Sequence, residues 1–214
     1  MKKRVLLGDD HVLMLEGLSR LLADEFEIVG TAANGRALVE EALRLVPDVV
    51  VVDIGMPELN GIEATRRLSH ALPSVKIVIV TQQLDPAYLR AAFNAGASAY
   101  VSKQSASTEL ILAIRMALNH QFYATPHAGG DVADHTRFHS HVNPSELFGG
   151  SLTPRQREVL QLVAEGKTSK EISAALGISP KTVEYHRNCL MDQLGVRSTA
   201  ELTRYAVSRG IVAA

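Results

Sequence analysis

Polar residues of a few chemical types recur at the ends of short apolar runs in the first half of the chain. Asp9 and Asp10 follow one run, Asp53 follows a second, Thr81 ends a third and Lys103 follows a fourth. Three carboxylates that meet repel one another unless a cation lies among them. Oxygen ligands without histidine or cysteine favour Mg²⁺, which shares its coordination shell with phosphate. These residue types therefore predict a magnesium site with a role in phosphoryl chemistry.

A carboxylate can attack a phosphoryl group and form an acyl phosphate. Asp53 is the expected acceptor, because the acidic pair Asp9 and Asp10 serves the metal. Lys103 is expected to form an ion pair with one phosphoryl oxygen, and Thr81 is expected to donate a hydrogen bond to another.

The elements that would position these residues alternate along residues 1–120. Runs rich in β-branched residues predict strands, and stretches with apolar residues at spacings of three and four predict helices between them. The predicted strands are residues 4–8, 27–32, 49–53, 76–81 and 98–102. Five strands that alternate with five helices predict an α/β domain with a parallel sheet covered on both faces. Because the carboxyl ends of parallel strands lie on one edge, the polar residues are expected to converge there.

Residues 121–150 interrupt this alternation and are predicted to form a linker between the first domain and a second domain of residues 151–214. The stretch contains several glycines and prolines and has no sustained periodicity. We favour a polar, disordered connector, with metal binding at the His-x-x-x-His and His-x-His spacings as the alternative. The histidines concerned are His120, which directly precedes this stretch, and His127, His135, His139 and His141 within it.

Residues 151–214 are predicted to be all-α. Ser or Thr followed three residues later by Glu or Gln recurs as a capping box, and helices are expected to begin near residues 154, 169, 180 and 199. Four compact helices with turns at Gly166 and Gly177 predict a helix-turn-helix layout. This part carries nine basic and six acidic side chains, although the whole chain has a formal net charge of −1. The basic balance suggests that it binds a polyanion.

Residues 3–120 resemble the receiver domain of two-component response regulators. The resemblance rests on Gly8-Asp9-Asp10-His11, Val52-Asp53-Ile54-Gly55-Met56-Pro57 with Gly61, Thr81, and Tyr100-Val101-Ser102-Lys103. It implies a flavodoxin-like (βα)5 fold and an acyl phosphate on Asp53. It further implies Mg²⁺ held by Asp10, Asp53 and the backbone carbonyl of Gly55, with Asp9 acting mainly through water.

The same resemblance implies a conformational switch. Tyr100 is similar to the family's aromatic switch residue, which turns inward when Thr81 moves toward the phosphoryl group. The face formed by the fourth helix, the fifth strand and the fifth helix is then the one that changes.

Residues 151–214 resemble the LuxR-type helix-turn-helix of the NarL/FixJ response regulators. The resemblance rests on Leu152-Thr153-Pro154-Arg155-Gln156-Arg157-Glu158-Val159-Leu160, Gly166-Lys167-Thr168-Ser169-Lys170-Glu171-Ile172, Leu176-Gly177-Ile178-Ser179, Thr182-Val183-Glu184-Tyr185-His186-Arg187 and Leu194-Gly195-Val196. It implies a four-helix domain whose third helix, about residues 180–194, enters the major groove, and whose fourth helix helps to form a dimer.

Lysine and arginine suit phosphates, whereas Glu184 and either Asn188 or Arg187 suit base edges. The residues expected to contact DNA are Lys181, Thr182, Glu184, Tyr185, Arg187 and Asn188.

These observations predict a cytoplasmic transcription regulator that is not an enzyme. Its expected partners are a cognate sensor histidine kinase, double-stranded DNA and a second copy of itself when phosphorylated or DNA-bound. The single cysteine, Cys189, excludes an intramolecular disulfide. The apolar stretch of residues 49–52 is too short to span a bilayer. Whether phosphorylation acts by dimerisation or by release of the DNA-binding domain stays open.

Two other functions compete with this one. The first is a regulator of the same fold that does not respond to phosphorylation. The second is a phosphohydrolase that uses an aspartyl phosphate; such enzymes commonly place a second aspartate two residues after the nucleophile, where this chain has Gly55. No Gly-x-Gly-x-x-Gly loop follows the first predicted strand, which argues against a dinucleotide enzyme.

Overall fold

The computed structural model describes residues 1–125, 152–209 and 211–212, and the chain divides into two compact units. Most of the predicted linker lies outside the described residues. So do four of the five histidines considered as metal ligands, which are His127, His135, His139 and His141. Each unit is described by itself below.

The first unit is a parallel sheet with helices between its strands. Its elements in chain order are β1 (Lys3–Gly8), α1 (Val12–Leu22), β2 (Phe26–Ala32), α2 (Gly35–Leu45), β3 (Val49–Val52), α3 (Gly61–Ala71), β4 (Lys76–Thr81), α4 (Pro86–Asn94), β5 (Ala99–Ser102), α5 (Ala106–Leu118) and β6 (Tyr123–Ala124). The strand order is β2-β1-β3-β4-β5-β6, and all the pairs are parallel. The predicted α/β class and parallel sheet are confirmed.

Within residues 1–125 the sheet has six strands, whereas the sequence predicted five. The additional strand, β6, lies beside β5 and pairs Tyr123 with Ala99 and Ala124 with Tyr100. A strand of two residues is too short to show a period of two. The predicted linker of residues 121–150 therefore included these two residues.

The core of this unit explains why the central strands are uniformly apolar. All four valines of β3 are buried, because helices cover both faces of the sheet. One face packs against α1 and α5 through a continuous apolar cluster that includes Val51, Leu18 and Leu110. Asp53 follows β3 directly, so the rigid centre of the sheet holds the predicted acceptor.

The second unit consists of helices in its described part. They are α6 (Pro154–Ala164), α7 (Ser169–Leu176), α8 (Pro180–Leu194) and α9 (Thr199–Ser208). All four begin where the sequence predicted. Complete capping boxes precede α6 and α7, and serine side chains accept the N3 amides of α8 and α9. Gly177 has a φ of 63°, a left-handed conformation that glycine adopts without strain and that makes the turn between α7 and α8.

None of the helices in these ranges combines the length and the apolar character that a membrane crossing requires.

Candidate functional site

Lys103 joins two buried carboxylates at the carboxyl edge of the sheet. Its Nζ lies 2.7 Å from Oδ2 of Asp9 and 3.0 Å from Oδ2 of Asp53. Asp9 is 1% exposed and Asp53 is 6% exposed. Burial raises the pKa of Asp53, and the Lys103 ammonium opposes that rise. Burial alone would lower the pKa of Lys103, but its hydrogen bonds and ion pairs with the two aspartates hold it above its ordinary value.

Asp10 and His11 form the exposed rim of this cluster. The Nδ1 atom of His11 lies 2.8 Å from Oδ1 of Asp10 and 3.1 Å from Oδ1 of Asp9. Asp10 is the largest cause of a raised pKa at His11, followed by the hydrogen bond with Asp9. His11 was not among the predicted site residues, although its position directly after the acidic pair was a signal.

The donor atoms fit a divalent cation. Ligand atoms of Asp9, Asp10, His11 and Asp53 all lie within 4.8 Å of one another. Three of these four residues offer carboxylate oxygens, which is the donor type that Mg²⁺ prefers. A Cβ atom on Gly55 would lie 3.3 Å from Oδ2 of Asp53, so a side chain at this position would crowd the carboxylate.

The backbone around Asp53 is closely packed. Its amide donates to the carbonyl of Gly8 at 2.9 Å, and the amide of Gly61 donates to the carbonyl of Ile54 at 3.0 Å. A Cβ atom on Gly61 would lie only 2.0 Å from the carbonyl oxygen of Asp53. Asn60 caps α3 by accepting the amide of Glu63 at 2.9 Å. The loop after β3 is therefore held against the strand by backbone contacts that tolerate no side chain at residue 61.

Thr81 and Tyr100 meet on a single residue of the loop after β4. The amide of Gln83 donates to Oγ1 of Thr81 at 3.2 Å, and the hydroxyl of Tyr100 donates to the carbonyl of Gln83 at 2.6 Å. Both side chains are buried, and Tyr100 lies in the inward orientation. Burial is the largest cause of a raised pKa at Tyr100. Gln83 was not predicted from the sequence, because a loop residue that acts only through its backbone atoms leaves no pattern.

Neutralising Asp53 should stabilise the first unit. A raised folded-state pKa means that the contribution of this group to stability is full below the ordinary pKa of aspartate and is lost as the pH rises through the folded pKa. We expect Asp53→Asn to raise the melting temperature of the unmodified protein at neutral pH by about 3 °C. The gain should vanish below the ordinary pKa of aspartate, and thermal unfolding over a pH series checks it. The exposed Asp24→Asn variant is the control, and a gain that persists in acid would contradict the prediction.

The predicted DNA-contact residues of α8 divide into two groups. Lys181, Glu184, Tyr185 and Asn188 are exposed, and Tyr185 retains 65% exposure. Arg187 and Thr182 are half-buried. The side chain of Arg187 is 22% exposed, and the hydroxyl of Thr182 lies 2.9 Å from that of Ser179.

Arg187 connects three helices of the second unit. Its Nη1 donates to Oγ of Ser169 at 3.0 Å, and its Nη2 donates to Oγ1 of Thr199 at 2.9 Å. Glu184 accepts hydrogen bonds from Ser169 and Arg187. These bonds join α7, α8 and α9, and the sequence pattern of α8 gave no sign of Ser169 or Thr199 as partners.

Comparison with known proteins agrees with both halves of the structure. Residues 5–115 match the response regulator receiver domain, and residues 150–206 match the luxR family of bacterial regulatory proteins. The transcriptional regulatory protein MctR of Rhizobium johnstonii is 35% identical over 99% of this chain and 96% of its own length. The transcriptional regulatory protein LiaR of Bacillus subtilis is 36% identical over 95% of this chain and 96% of its own length.

Solved structures give the same result. A structure of the response regulator RcsB of Salmonella typhimurium covers 97% of this chain and 98% of its own, with a TM-score of 0.64 and 26% identity. The structure of an RcsB–DNA complex covers 97% of this chain and 99% of its own, with a TM-score of 0.57 and 27% identity. A receiver domain followed by a LuxR-type helix-turn-helix defines the class of DNA-binding response regulators. This chain belongs to that family, the LuxR-type response regulators, which control transcription.

Proposed function

We propose that this response regulator is controlled by phosphorylation of Asp53 and that it acts in the cytoplasm on double-stranded DNA. The observation that carries the proposal is the bridge from Lys103 to Asp9 and Asp53 at the carboxyl edge of the sheet. A buried ammonium beside a buried carboxylate is placed to neutralise charge that develops on a phosphoryl group bound there. The partner that fits the receiver is a cognate sensor histidine kinase.

The chemistry at Asp53 is a displacement at phosphorus. A carboxylate oxygen attacks the phosphorus atom of a phosphohistidine, the new P–O bond forms, and the P–N bond breaks with its electron pair left on the imidazole. Lys103 then exchanges part of its contact with Asp53 for a phosphoryl oxygen, and Thr81 donates a hydrogen bond to another.

The residues that would hold Mg²⁺ are Asp9, Asp10, Asp53 and the backbone carbonyl of Gly55. When bound, the ion would reduce the repulsion between these carboxylates and the incoming phosphoryl oxygens. Both oxygens of Asp9 already have protein partners, Oδ2 with Lys103 and Oδ1 with the amide of His11, which favours an action of Asp9 on the metal through water.

The link from Asp53 to the surface of the unit runs through Gln83. Thr81 and Tyr100 both bond to this residue, so a movement of the Thr81 hydroxyl toward a phosphoryl group breaks its bond with the Gln83 amide. The loop is then free to rearrange on the α4–β5–α5 face around Tyr100, which keeps the inward orientation that the family resemblance associates with this movement. A second copy of the chain is the partner that we propose for this face.

DNA recognition is proposed for α8. Its exposed face presents Lys181, Glu184, Tyr185 and Asn188 together, and two half-buried residues, Arg187 and Thr182, border that face. The RcsB structures, which include an RcsB–DNA complex and RcsB dimers bound to DNA, support a homodimer that reads a two-fold site through this helix. Glu184 accepts a hydrogen bond from Arg187. This bond would orient the Arg187 guanidinium near the DNA groove and reduce the nonspecific attraction of Arg187 to phosphates.

A phosphate contact by Lys181 has a measurable signature. We expect Lys181→Ala to weaken binding by a similar factor on a selected site and on an unrelated duplex. The slope of log affinity against log salt should become less negative by about 1. Titrations at several salt concentrations check this, with Lys2→Ala in the first unit as the control. A loss confined to the selected site would instead assign Lys181 to base recognition.

The proposed function is tested by phosphorylation and DNA binding in one experiment. Wild type, Asp53→Asn and Asp24→Asn are incubated with Mg²⁺ and a small acyl-phosphate donor, and their mass and DNA affinity are measured. We expect wild type and Asp24→Asn to gain one phosphoryl group and to bind DNA more tightly, and Asp53→Asn to do neither. If no protein is modified and all three bind DNA equally, the regulator does not respond to phosphorylation.

A further inference from the structure

The strand β6 lies in the last described stretch of the first unit, which ends at Thr125. Its pairing with β5 is continued by Thr125, whose amide donates to the carbonyl of Tyr100 at 2.9 Å. Thr125 itself is 5% exposed. The segment Tyr123–Thr125 is therefore docked on the edge of β5 and buried there.

The hydroxyl of Thr125 takes the place of a backbone acceptor. The amide of Ser102, the last residue of β5, donates to Oγ1 of Thr125 at 3.0 Å. In a longer β6 the backbone would supply a carbonyl to this amide, but the strand ends at Ala124. Because a buried amide without a partner is costly, the hydroxyl fixes the end of β5.

Glu109, in the first turn of α5, holds the hydroxyl of Thr125 in place. Thr125 donates to Oε2 of Glu109 at 2.6 Å, and Ser105 donates to the same oxygen at 3.0 Å. Tyr123 also bonds to Glu109; burial and this hydrogen bond raise the pKa of Tyr123 to about 12. Hydrogen bonds to a carboxylate are stronger than neutral ones, so Glu109 fastens both ends of the segment to α5.

The residue after Ser102 is Lys103, the cation of the candidate phosphorylation site. The amide of Lys103 donates to the carbonyl of Thr81 at 2.8 Å, on the side of β4. One residue earlier, Thr125 holds the chain from the side of β6. The backbone that carries the Lys103 side chain is thus held from both neighbouring strands.

We infer that Thr125 and Glu109 are positioning residues for Lys103, and that they couple the chemical state of Asp53 to the docking of residues 123–125. The inference rests on the proposed phosphorylation of Asp53. When Lys103 turns toward a phosphoryl oxygen, its backbone is strained against the bond between Ser102 and Thr125. Thermodynamic coupling is reciprocal, so release of the segment must in turn shift the equilibrium between the phosphorylated and unphosphorylated states of Asp53. The segment Tyr123–Thr125, at which the described part of the first unit ends, thereby responds to the chemical state of Asp53.

The test uses the full chain and four proteins: wild type, Thr125→Val, Thr125→Ser and Thr31→Val. Valine keeps the shape of threonine but loses the hydroxyl, and serine restores the hydroxyl. Thr31 is an exposed threonine of β2, at the opposite edge of the sheet, and is the matched control. Phosphorylation by a small acyl-phosphate donor with Mg²⁺ is followed by mass, and the amides of Ser102, Lys103 and residues 123–125 are followed by NMR and hydrogen exchange.

We expect Thr125→Val to accumulate phosphoryl groups about tenfold more slowly than wild type, as is usual when a partner that orients a site residue is lost. The Ser102 amide should exchange about tenfold faster in this variant, because its acceptor is gone. Thr125→Ser and Thr31→Val should behave as wild type. Phosphorylation of the wild type should change the exchange of residues 123–125, and this response should be absent in Thr125→Val.

A Thr125→Val protein that is phosphorylated at the wild-type rate while its Ser102 amide exchanges faster overturns the inference, since the bond is then only structural. If the wild type gains no phosphoryl group, the proposed function is contradicted, and this result alone does not test the positioning role of Thr125. In that case the Lys103 amide decides the positioning role. A Lys103 signal that moves in Thr125→Val and returns in Thr125→Ser supports it, and a signal that stays in place rejects it.

Discussion

A Lys103→Gln variant is expected to lose about 3 kcal/mol of the unfolding free energy of the receiver at neutral pH, because it leaves two buried carboxylates without their cation. The side chain of Lys103 is 7% exposed and contacts both Asp9 and Asp53. Without the ammonium, protonation of a carboxylate or a bound metal ion would have to relieve the repulsion between Asp9 and Asp53. Urea unfolding of the full chain, with the receiver transition followed separately, measures the loss.

The pH dependence of this loss follows from Asp53. Burial already raises the pKa of Asp53, and removal of Lys103 takes away the interaction that opposes the rise. A group with a raised folded-state pKa contributes stability below its ordinary pKa and loses it as the pH rises through the folded value. The deficit of Lys103→Gln should therefore be small in acid and full above the folded pKa of Asp53. Mg²⁺ should restore more stability to the variant than to the wild type.

Lys3→Gln is the matched control. Lys3 also lies 2.7 Å from an aspartate oxygen, on Asp48, but its side chain is 55% exposed. An exposed ion pair contributes little, so the expected loss is below about 0.5 kcal/mol. Equal losses in Lys3→Gln and Lys103→Gln would contradict the view that burial gives the Lys103 bridge its importance.

Gly61→Ala is expected to cost the receiver about 3 kcal/mol or more and to reduce phosphorylation of Asp53. The added Cβ would lie 2.0 Å from the carbonyl oxygen of Asp53 and 3.0 Å from the Cα of Ile54. Both neighbours are backbone atoms, so the clash is relieved only if the loop after β3 or the start of α3 moves. Thermal unfolding and mass measurement after treatment with a small acyl-phosphate donor report the two effects.

The control for this variant is Gly17→Ala. Gly17 lies within α1 and is exposed, and a Cβ there would meet no atom within 4 Å. Alanine is a better helix former than glycine, so this variant should gain about 1 kcal/mol. The same substitution is thus expected to have opposite signs at the two positions. A mild effect at Gly61 would show that the loop adapts and that its close packing does not define the site.

The sequence was most informative about structural features that depend only on residues close together in the chain. The helices of the second unit begin at the predicted residues, because an N-cap and its N3 partner are three residues apart and need no other part of the chain. The order of strands and helices could also be predicted from the sequence, since buried strands are uniformly apolar and the intervening helices are amphipathic. The convergence of Asp9, Asp53 and Lys103 followed from that alternation alone.

The switch role of Tyr100 came from the family resemblance alone. The Mg²⁺ site and the DNA contacts of α8 were predicted from residue types as well as from the resemblance, and all three stay proposals. The structure adds the geometry that such proposals need. Tyr100 is buried and bonded to Gln83, and Arg187 is half-buried and bonded to α7 and α9.

By itself the sequence determined the α/β receiver, the helix-turn-helix and the set of polar residues at the sheet edge. Only the tertiary structure decided that Lys103 bridges Asp9 and Asp53. It also decided that Gln83 bonds to both Thr81 and Tyr100, and that β6 pairs with β5. The physical reason is the range of the interactions. Capping and amphipathic periodicity act within a few residues and leave a pattern, whereas these bonds mostly join residues far apart in the chain, often through backbone atoms that every residue type carries.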